Sequence, residues 1–273
     1  MMSVVVNGSL RLTEKGDKMK PFLILYFSGV GNTKAVAEYI KDCAHKIPTE
    51  IYSVEKLPDD FSIDNYSAII SGTPTYHSEP ALPLMKFLEM VNSSRKIPAF
   101  IFTTCGLYSE NCLRILAKEC LKRKIIPIHS ASYRCSATDG MLLAPFMECW
   151  FKNEKNLQTK IEKDFRAFIK KLKAHSKSDV PKSKWYAPLN YPNKMLGKAT
   201  TFTIYLHKER CIKCGKCQRN CPQGTITEID GYPVIEKTQC MNCYRCVHHC
   251  PELALSLSAK KTVDRVWGKK LIR

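Results

Sequence analysis

Eight cysteines between residues 211 and 250 carry the strongest chemical signal in the sequence. Cys211, Cys214, Cys217 and Cys221, the last followed by Pro222, form a C-x2-C-x2-C-x3-C-P run. Cys240, Cys243, Cys246 and Cys250, followed by Pro251, repeat it at a constant offset of 29 residues. Three closely spaced thiolates can grip three irons of one cubane, and the fourth, turned away before a proline, reaches the other. The expected ligand sets are therefore crossed: Cys211, Cys214 and Cys217 with Cys250, and Cys240, Cys243 and Cys246 with Cys221. Zinc and disulfides are the competing uses of so many thiols. Zinc sites pair C-x2-C units over longer gaps and lack the trailing Cys-Pro, so the spacing favours two [4Fe–4S] clusters. Disulfides belong to oxidising compartments, and Val4-Val5-Val6 before polar Asn7-Gly8-Ser9 is too short for a secretory leader. A reducing, cytoplasmic location is the expectation. His248 and His249 read as surface residues, because eight thiolates already fill both cubanes.

A second group of residues suited to chemistry lies near the start of the chain. Phe22–Phe27 is an uninterrupted apolar run, as expected of a strand covered on both faces. It opens into Ser28-Gly29-Val30-Gly31-Asn32-Thr33 and then a helical pattern. Backbone N–H groups of such a turn, with the Ser28 and Thr33 hydroxyls, can hold a phosphate. The turn lacks the Gly-Lys-Ser/Thr of a Walker loop and the G-x-G-x-x-G of dinucleotide binders. Further strand candidates are Glu50–Ser53, Tyr66–Ser71, Ala99–Thr103 and Ile125–His129. Helical patterns over 81–91, 109–123 and Asn156–Ala174 alternate with them. Five strands alternating with helices predict a doubly wound parallel sheet, which binds ligands at the carboxyl ends of its strands. Two further stretches fall there: Gly72-Thr73-Pro74-Thr75-Tyr76-His77 and Thr104-Cys105-Gly106-Leu107-Tyr108-Ser109-Glu110-Asn111. Each sets small polar residues beside one tyrosine, which suits a flat aromatic ligand stacked between rings. His77 reads as a solvated loop residue.

Together these three loops resemble the flavodoxin family over about residues 20–175. The resemblance implies FMN, with its phosphate on Ser28, Gly29, Val30, Gly31, Asn32 and Thr33. It implies a flavin bordered by Thr73, Pro74, Thr75 and Tyr76 on one side and by Thr104, Cys105, Gly106, Tyr108 and Asn111 on the other. One position departs from the family pattern: Val30 stands where a hydroxyl residue is usual, removing a side-chain donor. The eight-cysteine segment resembles a bacterial-type 2[4Fe–4S] ferredoxin over about 202–258. The fold expectation is thus a flavodoxin-like α/β domain with a five-stranded doubly wound sheet (19–175), followed by a small α+β ferredoxin domain (202–258). Residues 1–18 read as an extension, 176–201 as a basic linker with docking aromatics Trp185, Tyr186 and Tyr191, and 259–273 as a basic tail. Residues 132–153 read as an insertion whose apolar stretch Met141–Met147 covers the flavin or the domain interface. The combination resembles the flavodoxin/ferredoxin fusion proteins of anaerobes, which implies electron transfer; an FMN-dependent reductase of a small molecule, such as a quinone or nitro compound, is the alternative.

Composition narrows the partners. The 273 residues carry a net charge of +18. Residues 1–150 contribute +2, 151–200 contribute +9 and 201–273 contribute +7. No apolar run approaches the roughly 18 residues of a membrane span. The basic half by itself suggests nucleic acid, but clusters and FMN phosphate bring negative charge of their own. The expectation is no nucleic-acid partner and an acidic redox protein, such as a ferredoxin or flavodoxin, steered toward the clusters.

Overall fold

The computed structural model describes residues 20–137, 153–183 and 203–259. The extension 1–18, the Met141–Met147 stretch, the linker aromatics Trp185, Tyr186 and Tyr191, and the tail beyond 259 lie outside them.

The first unit is built on five parallel strands, β1 (Phe22–Tyr26), β2 (Thr49–Ser53), β3 (Ala68–Tyr76), β5 (Ile97–Cys105) and β6 (Ile125–Arg134), in the order β2-β1-β3-β5-β6. A two-residue strand β4 (Glu79–Pro80) folds back antiparallel on β3. The central strands are apolar on both faces because helices cover both. On one face α1 (Asn32–Cys43) and α4 (Leu157–Lys173) bury Val36, Ile40, Ile161, Phe165 and Phe168 against Phe22, Ile24, Ile70 and Phe100. On the other, α2 (Leu82–Met90) and α3 (Cys112–Lys122) bury Leu84, Leu88, Leu116 and Cys120 against Leu23, Leu25, Ile69 and Ile101. The segment between β2 and β3, which has no helical period, makes only a 3-10 turn at Ile63–Asn65. Strand order reverses between β1 and β3, so the crevice at their carboxyl ends is the natural ligand site.

The sheet runs further than the apolar pattern suggested. Gly72–Tyr76, expected as a loop, is the last part of β3, and β5 and β6 likewise run on to Cys105 and Arg134. Small and hydroxylated residues continue the pairing there, Gly72 to Pro74 opposite Phe102 to Thr104, and the Thr103 and Thr75 hydroxyls share a 2.8 Å hydrogen bond across it. The start of the expected linker is docked: Val180 packs on the second core face, and Arg114 donates to the Pro181 carbonyl at 3.0 Å.

The second unit is small. Strands β7 (Tyr205–Leu206) and β10 (Leu255–Ser256) pair, and β8 (Ile226–Ile229) pairs with β9 (Tyr232–Ile235). Single-turn helices α5 (Lys216–Arg219) and α6 (Arg245–His248) lie within the two cysteine runs, each carrying its third cysteine. Its core of described residues centres on Tyr244, Val247 and Leu255, too few to stabilise a domain by burial alone. His248, expected at the surface, is buried, because α6 is turned inward.

Phe168 is fully buried, with ring centroids 6.2 Å from Phe22 and 5.7 Å from Phe100. Phe168→Ala should cost about 3–5 kcal/mol of stability, read as a drop in the denaturant midpoint of the sheet domain.

Candidate functional site

The turn after β1 is shaped by its two glycines. Gly31 has φ 115°, a conformation a side chain resists, and caps the start of α1. Its N–H donates to the Ser28 hydroxyl oxygen at 3.1 Å, which leaves the Ser28 proton free to donate. Gly29 is needed for close approach: a Cβ there would stand 2.0 Å from the Tyr76 hydroxyl and 3.4 Å from the Cys243 Cβ. Asn32 donates to the Ser136 carbonyl at 2.8 Å, tying the turn to the end of β6. Thr33 and Thr104 are both buried, and their hydroxyls share a 2.8 Å hydrogen bond. One of the two must donate to the other, so the pair retains one proton for a ligand. The first-turn N–H groups of α1 have no partners within the helix. The donor set of this turn fits a phosphate, although the Val30 side chain adds none and is buried.

The two aromatic segments come to the same rim by different means. Tyr76 ends β3, and its hydroxyl reaches Gly29. Tyr108, three residues beyond β5, is 58% exposed. Thr75 is held by Thr103, and Gly106 is pressed so close to Ala137 that a Cβ would lie 2.5 Å from that residue's Cβ. Asn111 begins α3, its carbonyl accepting from the Ile115 N–H at 2.9 Å. Other expected residues have internal duties instead. Thr73 is buried, donating to the Pro74 carbonyl and accepting the Ala81 N–H at 2.9 Å, so its hydroxyl secures the hairpin. Pro74 is a buried strand residue. The buried Cys105 thiol faces the Ser132 hydroxyl and the Tyr133 carbonyl, and burial pushes its pKa up.

The eight cysteines of the second unit gather as two sets. Cys211, Cys214, Cys217 and Cys250 line one cavity. Cys243 and Cys246 each lie within electrostatic reach of Cys240 and Cys221, and Cys246 also of Cys217, so the sets adjoin. Among the described residues no three His, Cys, Asp or Glu converge as a site for a single metal ion. A cubane takes one thiolate at each of four separate corners, and four soft thiolates per set fit that group. The sets differ in surroundings. Cys214 is exposed, whereas its counterpart Cys243 is buried, which pushes the bare thiol up to about 12 against the opposing pull of Arg245.

Arg245 was not signalled by any motif, and it joins the two units. Its Nε donates to the Gly29 carbonyl at 2.8 Å and Nη2 to the Ser28 carbonyl at 2.7 Å. Nη1 and Nη2 bind both oxygens of Glu55 at 2.7 Å, and Nη1 also reaches the Asn220 carbonyl at 3.2 Å. The guanidinium lies over Phe27, 5.2 Å from the ring centroid. Nearby, Met241 packs on the core of the first unit and Asn242 meets His77 at 3.4 Å, so His77, although exposed, is an interface residue. Comparing the repeats would have marked these positions: Ile212, Lys213 and Lys216 are exposed where the second repeat has Met241, Asn242 and Arg245.

Family models match two parts of the chain: a flavodoxin domain at residues 23–123 and a 4Fe-4S dicluster domain at 203–251. No curated protein matches the chain. Among solved structures, a flavodoxin from the domain Archaea is 16% identical with a TM-score of 0.43, covering 56% of this chain and 98% of that one. Oxidised flavodoxin 1 from Bacillus cereus is 15% identical with a TM-score of 0.40, covering 55% and 97%. Rubredoxin oxygen:oxidoreductase from Desulfovibrio gigas is 12% identical with a TM-score of 0.41, covering 57% and 37%.

The Thr33–Thr104 pair can be measured directly. Thr33→Val and Thr104→Val should each destabilise by about 1–3 kcal/mol, and the double variant by less than their sum, in denaturant titrations arranged as a double-mutant cycle.

Proposed function

We propose that this fusion of a flavodoxin domain with a 4Fe-4S dicluster domain is an electron-transfer protein that holds FMN and two [4Fe–4S] clusters and exchanges electrons with an acidic redox protein in the cytoplasm. When bound, FMN would supply a centre for one or two electrons and each cubane a centre for one. The single observation that carries the proposal is how near Cys243, of the second cysteine set, comes to the phosphate turn: a Cβ on Gly29 would stand 3.4 Å from the Cys243 Cβ. Ser28, Gly29, Gly31, Asn32, Thr33 and Thr104 would hold the phosphate end, and Tyr76 and Tyr108 would border the ring. Cys211, Cys214, Cys217 and Cys250 would hold the outer cluster, and Cys240, Cys243, Cys246 and Cys221 the cluster nearer the flavin.

The outer set supports an assignment of the partner's docking face. Around the exposed Cys214 stand Ile212, 63% exposed, and the exposed basic residues Lys208, Lys213, Lys216 and Arg219. An apolar spot ringed by positive charge suits a partner with an acidic rim around its own redox centre. No helix among the described residues is long and apolar enough to cross a membrane.

Anaerobic purification with iron, sulfide and flavin analysis should return close to eight irons and one FMN per chain; fewer than about six irons after reconstitution would sink the two-cluster assignment. With an acidic ferredoxin or flavodoxin as donor, the bimolecular rate should fall as salt rises, and Lys213→Glu with Lys216→Glu should lower it at least tenfold at low salt. A rate indifferent to salt, or faster turnover of a quinone than of any protein partner, would overturn the carrier assignment.

A further inference from the structure

The guanidinium of Arg245 has five N–H donors, and all five are engaged: two by Glu55, one each by the Ser28, Gly29 and Asn220 carbonyls. Two of those acceptors belong to the phosphate turn. In a trans peptide the C=O and the following N–H point in opposite directions. With the Ser28 and Gly29 carbonyls turned to Arg245, the N–H groups of Gly29 and Val30 must face the other way. The cation also draws electron density through both peptide units, which makes those N–H groups stronger donors. Successive N–H groups turned to one side beside a helix N-terminus are what an anion-binding turn requires. At Val30 the backbone N–H is all that the residue can offer.

We propose that Arg245 is a positioning residue of the FMN phosphate site, contributed by the cluster-bearing unit to a turn in the other unit. The inference rests on the FMN assignment above and extends it to regulation. Phosphate affinity and docking of the two units are then one coupled equilibrium, and each must strengthen the other by the same factor. Glu55 holds the guanidinium in place with both carboxylate oxygens, so Arg245 does not touch the phosphate. Its effect passes through the backbone of Ser28, Gly29 and Val30.

The test compares FMN with riboflavin, which has the same ring and no phosphate, by titrating flavin fluorescence against the full-length, flavin-depleted chain with its clusters intact. Wild type should prefer FMN. Arg245→Ala should weaken FMN by roughly 10- to 100-fold while leaving riboflavin within about twofold, and Arg245→Lys should recover part of the loss. Glu55→Ala lies outside the cysteine runs and should lower the FMN-to-riboflavin preference in the same direction by several-fold. Iron content decides which variant is read: if Arg245→Ala loses iron, Glu55→Ala carries the test. An unchanged preference in iron-replete variants would overturn the inference, as would an equal loss of both flavins, which would mean that Arg245 only holds the units together. Failure of wild type to bind either flavin would instead overturn the FMN assignment itself.

Discussion

A guanidinium enclosed between two protein surfaces is tolerated only where its hydrogen bonds are met, and that constraint organises this molecule. The Arg245 side chain is 12% exposed. Its acceptors come from three separate stretches: the turn after β1, Glu55 beyond β2, and Asn220 at the end of the first cysteine run. A rigid planar fork satisfied by such scattered partners admits one relative placement of the two units. Its net contribution to stability is small, since desolvation offsets much of the attraction between a half-buried Arg and Glu. Its contribution to specificity is large, because any shifted arrangement would leave charged groups unpaired. The aromatic face of Phe27 beneath the cation adds to the same geometry.

Some of the backbone held in the left-handed region lies where this placement is enforced. His77 and Ser78 both have positive φ, 47° and 67°, in the two-residue connection between β3 and β4. Such hairpins favour Asn and Gly at those positions, so His and Ser there carry a conformational cost. The connection is also where the first unit meets Asn242. Asn242 and Tyr244 are left-handed too, at 55° and 54°. Their counterparts 29 residues earlier, Lys213 and Gly215, adopt the same conformation at 55° and 65°. The loop shape is therefore common to both cysteine runs. Gly215 meets it without strain, whereas Tyr244 is held in it by burial at the centre of the small core.

Much of the fold was legible because its cause is local. Phe22–Tyr26 and the middle of β3 and β5 are apolar without alternation, and the 3.6-residue period of 156–174 matches α4 almost to the residue. The eight cysteines were legible for the same reason, since cluster ligation imposes a fixed spacing on the chain itself. The ends of the strands were not. Gly72, Thr73 and Pro74 have the composition of a loop, and only pairing with β5, at Phe102, Thr103 and Thr104, and with β1 at Tyr26 makes them strand. His248 was misplaced, and the burial of Thr73 and Cys105 was not foreseen, because burial depends on which neighbour covers a residue, and no period encodes that. Arg245 and Glu55 lie 190 residues apart, beyond the reach of any local pattern.

The two cysteine runs separate what a cluster demands from what its surroundings allow. Ligand spacing and the left-handed positions are the same in both. The residues between the ligands are not: Ile212, Lys213 and Lys216 face water in one copy, while Met241, Asn242 and Arg245 face protein in the other. Lysine at 216 and arginine at 245 mark the contrast at its sharpest. A lysine ammonium is a hydrated point charge suited to long-range attraction across solvent, whereas a guanidinium keeps its charge when desolvated and fixes direction through a planar fork. The same positive charge thus serves two ends of one unit. On the outward copy it stands in solvent, and on the inward copy it fastens the first unit.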